Sequence, residues 1–368
     1  MTLLIEPASD ADAPGIGAFN QRLRRHDVEF QLPENPDALL APREHGAPVW
    51  HHMFVARDEA AIRGGYLLKR ELLCTAGTEL ELGNYQIPLS EGVIDKSHAM
   101  VGIRLLQHVM QQRAALYCLG MGSMQRPLPR LLARFSWTVE PVPFFFRVIR
   151  ASGFLRNITY IQQRRFGGPL TALTRYTGAG ALAVSGWRVA AHLRLPALPR
   201  GLTVESVGAF GAEVDELFGG VRGAYGALIE RTGAALEARL PRGDERLIRL
   251  LIRSGGKLVG WLVLTRTQLH GHKQFGSMRL GCLVDGLCAP ELAPVLVRIA
   301  TERLIAEGVD LIVSNQSHTE WIAGLRRCGY LAGPSNFIFA RSPALAAATP
   351  PLRDWHLNRG DGDGPINL

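Results

Sequence analysis

Short stretches of this chain alternate apolar and polar residues, and longer ones between them place apolar residues at helical spacing. "MFVARDEAAIRGGYLLK" (53–69) and "RLLIRSGGKLVGWLVLT" (249–265) alternate on both sides of a polar turn, which predicts a β-hairpin in each half. "TELELGNYQIPL" (78–89) and "GSMRLGCLVDGL" (276–287) predict a central strand after each hairpin. Helices follow in "VGIRLLQHVMQQ" (101–112) and "ELAPVLVRIATERLIAE" (291–307), then a fifth strand in "ALYCLGM" (115–121) and "VDLIVSN" (309–315). Each half opens on a strand, "TLLIEP" (2–7) or "GLTVES" (201–206), and a helix, with Asp10 or Asp12 as a cap in the first half. Each closes on a short helix and a hairpin ending in "PFFFRVI" (143–149) or "NFIFARS" (336–342).

The halves also match residue by residue. A shift of 193 lays "SNQSHTEWIAGLRRCGYLAGPSNFIF" (314–339) on "MGSMQRPLPRLLARFSWTVEPVPFFF" (121–146), pairing Leu325 with Leu132, Phe337 with Phe144 and Phe339 with Phe146. Upstream, "GWLV" (260–263) matches "GYLL" (65–68), Arg253 matches Arg57, and Asp285-Gly286 matches Glu91-Gly92. Segments matching in the same order at nearly constant shift indicate a tandem duplication. The order of elements predicts two mixed α/β lobes, each a mostly antiparallel twisted sheet flanked by helices. The expected division is 1–150 and 201–345 for the lobes, 151–200 for a linker and 346–368 for a tail.

Element order and hairpins resemble the GNAT acyltransferase superfamily. "WIAGLRRCGY" is similar to that family's last helix, and "PLSEGVID", "LGMGSMQRPLPRLL", "VDLIVSNQSHTEW" and the "RGDGDG" tail resemble tandem GNAT-like proteins of bacterial exopolysaccharide gene clusters. The resemblance implies an acyl-CoA donor and a loop that cradles its pyrophosphate at a helix N-terminus. In the first half that loop would be "DKSHAMVGIRLL", bringing Lys96, Ser97, His98 and Gly102 to the cofactor. It departs from the family pattern in keeping one glycine. The second half offers "DGLCAPELAPVL", where Glu291 repels phosphate, and the family's thiolate-protonating Tyr would fall on Leu132 and Leu325. Two explanations stay open: a different donor or binding mode, or a lost activity.

Candidate chemistry gathers at strand ends, where open α/β sheets take ligands. Ser90, Glu91 and Asp95 follow the first central strand; the resemblance implies a substrate amine there, with Glu91 and its repeat partner Asp285 as general bases whose pKa partial burial would raise. The alternative for Glu91 is a structural carboxylate that caps a helix or pairs with arginine. Gly120 and Gly122 make either a tight turn or room for a ligand beside backbone. In the second half Asn315, Ser317 and His318 are candidate substrate contacts, against a capping role for Ser317 or Thr319. His51-His52 and His270-Gly-His272 lack a matching acid or Cys cluster, so no metal site is expected.

Charge is unevenly spread. The chain carries a net +8, yet between Glu140 and Glu205 there are nine arginines, no lysine and no acid. An Arg-rich apolar segment suits packing between domains, contact with membrane phosphates or, less well without lysines or basic repeats, nucleic acid. In the tail, Trp355 is a candidate anchor, with Asp361 and Asp363 reaching a basic cleft or a cation, or the tail is a flexible terminus. Five scattered cysteines form no CxxC pair, the first residues lack a basic n-region, and no apolar run is long enough to span a bilayer. A cytoplasmic protein is expected, with contact to the inner membrane face through the Arg-rich segment as an alternative to packing between domains. Three functions remain: acyl transfer to an amine or hydroxyl of a cell-envelope or exopolysaccharide sugar or lipid-linked precursor; a non-catalytic binding or scaffold pair; and a Fem-type transferase using aminoacyl-tRNA.

Overall fold

The computed structural model describes residues 3–36, 48–59, 61–75, 78–150, 154, 195–240, 243–272 and 275–362. Most of the Arg-rich segment, and Asp363, lie outside them. In chain order the first half forms β1 (Leu4–Pro7), α1 (Ala13–Arg24), β2 (Trp50–Arg57), β3 (Ile62–Thr75), β4 (Thr78–Ser90), α2 (Ala99–Gln112), β5 (Leu116–Leu119), α3 (Pro127–Arg134), β6 (Thr138–Pro141) and β7 (Phe144–Val148). The second forms β8 (Leu202–Val207), α4 (Glu213–Val221), β9 (Ala227–Ile229), α5 (Gly233–Arg239), β10 (Leu247–Ser254), β11 (Lys257–Gln268) and β12 (Arg279–Cys288). It ends with α6 (Ala293–Ala306), β13 (Leu311–Asn315), α7 (Thr319–Arg327), β14 (Leu331–Gly333), β15 (Ile338–Arg341), α8 (Pro343–Ala348) and β16 (Trp355–His356).

Two compact units result, and they cross the expected linear boundaries: residues 1–141 with 338–350, and residues 142–337 with 351–368. The first sheet runs β1-β2-β3-β4-β5-β15-β6 and the second β8-β10-β11-β12-β13-β7-β14. Each half therefore gives one strand, β7 or β15, to the other sheet, in the same slot. β15 pairs antiparallel with both β5 and β6, and β7 with both β13 and β14. In each sheet the two central strands, β4 with β5 and β12 with β13, are parallel.

Each donated strand buries an aromatic side chain in the unit that receives it. Phe339 and Ala340 are fully buried in the first unit and Phe145 nearly so in the second. Ser342 fixes β15 further: its hydroxyl donates to the Ala114 carbonyl at 2.7 Å and accepts from the Leu116 N–H at 3.1 Å. The duplication survives in side-chain roles. Arg57 binds Glu6 on β1 (2.7 Å) and Asp12 ahead of α1; its repeat partner Arg253 binds Glu205 on β8 (3.8 Å) and Glu213 at the start of α4 (2.6 Å). Asp12 stands at the α1 N-cap position without capping it, since its carboxylate is taken by the Ser9 N–H and Arg57.

Alternation along β2, β3 and β4 sends Phe54, Ala56, Tyr66, Leu68 and Tyr85 to one face of the first sheet, against Leu105, Leu106 and Val109 of α2 and Leu132 of α3. Met53, Val55 and Leu67 go to the other face, against Ile16, Phe19 and Leu23 of α1. Leu132 and Leu325, where the resemblance would put an acid Tyr, are fully buried core residues. All five cysteines are buried and none forms a disulfide. Among the described residues no helix is long and apolar enough to cross a membrane.

Phe339→Ala should destabilise the first unit by about 3–5 kcal/mol, the cost of emptying a buried aromatic site. Amide exchange should then rise at 116–119 and stay unchanged at 311–315, and Phe145→Ala should give the reverse. A Phe339→Ala protein that loosens 311–315 instead would mean that the strands are not exchanged.

Candidate functional site: the split between the parallel central strands

A parallel pair shares its hydrogen-bond ladder only while the strands stay adjacent. In the first unit β4 and β5 are in register at Gly83↔Leu116 and Asn84↔Tyr117, and then part. β4 carries a bulge there: Leu67 of β3 opposes Gln86 and Gly65 opposes Leu89, so Ile87 and Pro88 have one residue across from them. Ile87 adopts a φ of 44°, a strained value for a β-branched residue. On the other side β5 is followed by Gly120 and Gly122, at φ of 85° and 81°, left-handed values that favour glycine at both positions. Among the described residues of this unit no hydrogen bond links 87–90 to 119–122.

Around the mouth of this split lie most of the first-half candidates. Ser90 ends β4, and its hydroxyl accepts from the Gly92 N–H at 3.1 Å. Gly102, in the first turn of α2, would carry a Cβ 3.7 Å from that hydroxyl. Lys96, Ser97 and His98 form a single 3-10 turn leading into α2. Asp95 caps that turn by accepting the Ser97 N–H at 2.9 Å, which holds the Asp95 carboxyl below its ordinary range. α2 itself begins at His98 with no side-chain cap.

Glu91 departs from its expected role. It is 5% exposed, with one oxygen 2.6 Å from Arg22 of α1 and the other 2.8 Å from Arg63 of β3. Burial alone would raise its pKa, but the hydrogen bonds from Arg63 and Arg22 outweigh burial and hold it below the ordinary carboxylate value. A base with both oxygens held by guanidinium groups is a brace. It ties α1 to the β3–β4 hairpin.

The floor of the split is a polar rung that the sequence reading did not single out. His51, Lys69, Asn84, Tyr117 and Arg341 sit opposite one another across β2, β3, β4, β5 and β15. Lys69, Asn84, Tyr117 and Arg341 are at most 5% exposed. Glu71, also buried, accepts from the Tyr117 hydroxyl at 2.6 Å and lies 3.2 Å from the Lys69 ammonium. Burial, with Lys69 nearby, pushes His51 down to about 4, so its imidazole is neutral. A signal existed: in "LLKRELL" Lys69 and Glu71 fall on the inward phase set by Leu67 and Leu73.

The second unit closes its split instead. β12 and β13 separate after Leu283↔Ser314, a rung that continues through Leu264 and Phe145 and is apolar but for the serine. Beyond it the chain's own residues 355–361 enter between the strands. His356 Nε2 donates to the Gly286 carbonyl of β12 at 2.6 Å, while Ser317, past the end of β13, donates its backbone N–H to Leu357 and takes the Leu357 N–H on its hydroxyl. Asn358 bridges Gln316 and donates to Asp285 at 2.6 Å. Gly360 stands where a Cβ would be 2.8 Å from an Asp285 oxygen. Trp355 is fully buried.

The second-half candidates are consumed by this docking. Asp285 sits inside β12, opposite Val263, and is not the fold's counterpart of Glu91, which follows β4 in an extra 3-10 turn (Glu91–Val93). Buried Arg231 donates to Asp285 at 3.1 Å and to both oxygens of Asp361 at 2.9 Å. Burial pushes the Asp361 carboxyl up against the pull of Arg231. Asn315 is fully buried and its amide donates toward the Val142 and Pro143 carbonyls. Capping of α7 falls to His318, whose Nδ1 accepts the Glu320 N–H at 3.3 Å, because the Ser317 hydroxyl is already committed to the tail. Among the described residues no group of three or more His, Cys, Asp or Glu is placed to hold a metal ion.

No family model and no curated protein sequence matches the chain. Solved structures do. A tandem GNAT protein from the clavulanic acid biosynthesis pathway is 14% identical at a TM-score of 0.51, over 93% of this chain and 99% of that one. Saccharomyces cerevisiae N-myristoyltransferase with bound myristoyl-CoA is 12% identical at a TM-score of 0.53, over 93% and 84%. A GCN5-related N-acetyltransferase from Anabaena variabilis is 12% identical at 0.53, over 93% and 73%. The architecture is thus that of GNAT-fold proteins, in two lobes.

Glu91→Gln should lower stability by about 1–3 kcal/mol, the worth of hydrogen bonds to charged groups. Since the folded pKa of Glu91 is depressed, its contribution should be complete above about pH 4.5 and fade as pH falls further; melts of both proteins from pH 7 to 3 should converge at the acid end. In the second unit burial, reinforced by Arg231, holds His356 well below 6.5. The unfolded chain takes up that proton first, so tail docking should weaken as pH drops below about 6.5. Replacing His356 with Gln, which can still donate to Gly286, should flatten the fall in Tm between pH 7 and 5; an unchanged slope would remove His356 from the linkage.

Proposed function

We propose that this chain is an acyltransferase whose first unit carries the reaction and whose second is a non-catalytic lobe. The donor is an acyl-CoA and the acceptor an amine or hydroxyl of a cell-envelope or exopolysaccharide sugar or its precursor. One observation carries the assignment: the split between β4 and β5 has a polar floor, whereas that between β12 and β13 is taken by the chain's own residues 355–361. The GNAT fold supports acyl transfer in general, and the similar N-myristoyltransferase structure holds myristoyl-CoA.

The residues present fit a phosphate-bearing donor in the first unit. The first-turn N–H groups of α2 have no side-chain cap, and exposed Lys96 adds positive charge beside them. The corresponding start of α6 has Pro290, Glu291 and Pro294, which remove N–H donors and add a negative charge. Acyl-CoA, when bound, supplies an activated thioester carbonyl to the acceptor. The bulge at Ile87 and Pro88 leaves backbone without β3 partners beside the split, and Glu91 braces the hairpin that carries it.

Calorimetric titration with acetyl-CoA and longer acyl-CoAs should give one site per chain. Lys96→Glu should weaken binding about tenfold, the equivalent of 1.4 kcal/mol, and Glu291→Lys should leave it unchanged. Two sites per chain, or loss on Glu291→Lys alone, would reverse the lobe assignment; no binding of any acyl-CoA would favour the non-catalytic pair.

A further inference from the structure

The polar floor of the first split contains a side chain whose presence the fold does not explain. Asn84 is 1% exposed, and neither its amide nitrogen nor its amide oxygen has a hydrogen-bond partner among the described residues. Burying an unsatisfied carboxamide costs free energy, and native proteins keep such groups where something else uses them. Its position is the last rung before β5 leaves β4, between Lys69 on β3 and Tyr117 on β5. Both neighbours are committed, since Tyr117 donates to Glu71 and Lys69 pairs with it. The rung at the same point of the second unit has Leu264, Leu283 and Phe145 around Ser314, whose hydroxyl donates to the Leu283 carbonyl at 3.1 Å. The orphaned amide is therefore not a requirement of a parting parallel pair.

We infer that the floor of this split is the acceptor subsite, and that Asn84 there hydrogen-bonds a hydroxyl of a neutral polyol such as a sugar. A carboxamide offers a donor and an acceptor together, which is what a hydroxyl presents in return. Charge argues for a neutral ligand. Lys69 and Glu71 neutralise each other, Arg341 binds Glu140 at 2.8 Å, and the His51 imidazole is neutral, so the rung attracts neither an anion nor a cation strongly. The inference rests on the acyl-transfer reading only in calling the bound group an acceptor; binding at Asn84 is separable from it.

The test uses the full chain. Saturation-transfer NMR titrations with methyl glucoside (hydroxyl probe), acetamide (carboxamide probe) and glucuronate (anionic control) run beside calorimetry with acetyl-CoA. Methyl glucoside should bind saturably, and at least tenfold more weakly to Asn84→Leu and Asn84→Ala, with acetyl-CoA affinity within about twofold of the parent. Asn84→Leu keeps the branching at Cγ and removes the unsatisfied atoms, so its Tm should rise by about 2–4 °C; Asn84→Ala, which cannot overpack, carries the same binding prediction if leucine does not fit. Binding unaffected by either variant, no saturable binding of methyl glucoside, or preference for acetamide or glucuronate would overturn the inference. A parent protein that binds methyl glucoside at Asn84 but no acetyl-CoA would uphold the subsite and count against acyl transfer alone.

Discussion

Two parallel strands that stop pairing leave backbone N–H and C=O groups facing one another across a widening gap, and those groups need partners. The two units meet that requirement differently. In the second unit the chain meets it itself, with His356 on the Gly286 carbonyl and Leu357 on Ser317. In the first, β4 bulges at Ile87 and Pro88 and β5 runs on into Gly120, and among the described residues no hydrogen bond links 87–90 to 119–122. One duplicated architecture thus parts its parallel strands twice, and its own residues 355–361 enter one of the two gaps.

Docking of the tail has its own electrostatic logic. Two carboxylates, Asp285 and Asp361, share the single guanidinium of Arg231 in full burial. Removing Arg231 would take from both buried acids the guanidinium they share, and breaking a buried pair is strongly destabilising. Asn358 adds neutral donors to both acids, through its amide to Asp285 and its backbone to Asp361. In the first unit the charges are arranged differently: one carboxylate, Glu91, is shared by two arginines, Arg22 and Arg63.

Much of this was legible in the sequence. Alternation along 53–69 and 249–265 marked the hairpins, and the shift that laid Phe339 on Phe146 revealed the duplication. The same match hid the exchange of strands: "PFFFRVI" and "NFIFARS" both read as short, largely apolar strands, so pattern alone does not say which sheet each joins. Glu91 was found, but its chemistry was set by Arg22 and Arg63, whose proximity only the fold creates. Asn315, Ser317 and His318 stood out as a polar strand end; their partners, 38 to 40 residues downstream for Ser317, were not visible from local rules. Lys69 and Glu71 were readable as charges on the buried phase of a strand, and Asn84 beside them only through register.

The crossed strands also constrain how the protein is made. β15 lies between β5 and β6, so the sheet built mainly from the N-terminal third is incomplete until residue 341 has left the ribosome. At ordinary synthesis rates of about 5–20 residues per second, roughly 10–40 s separate emergence of β6 from that of its neighbour. During that interval an exposed strand edge waits on the nascent chain, and a chaperone or the growing second half itself has to shield it.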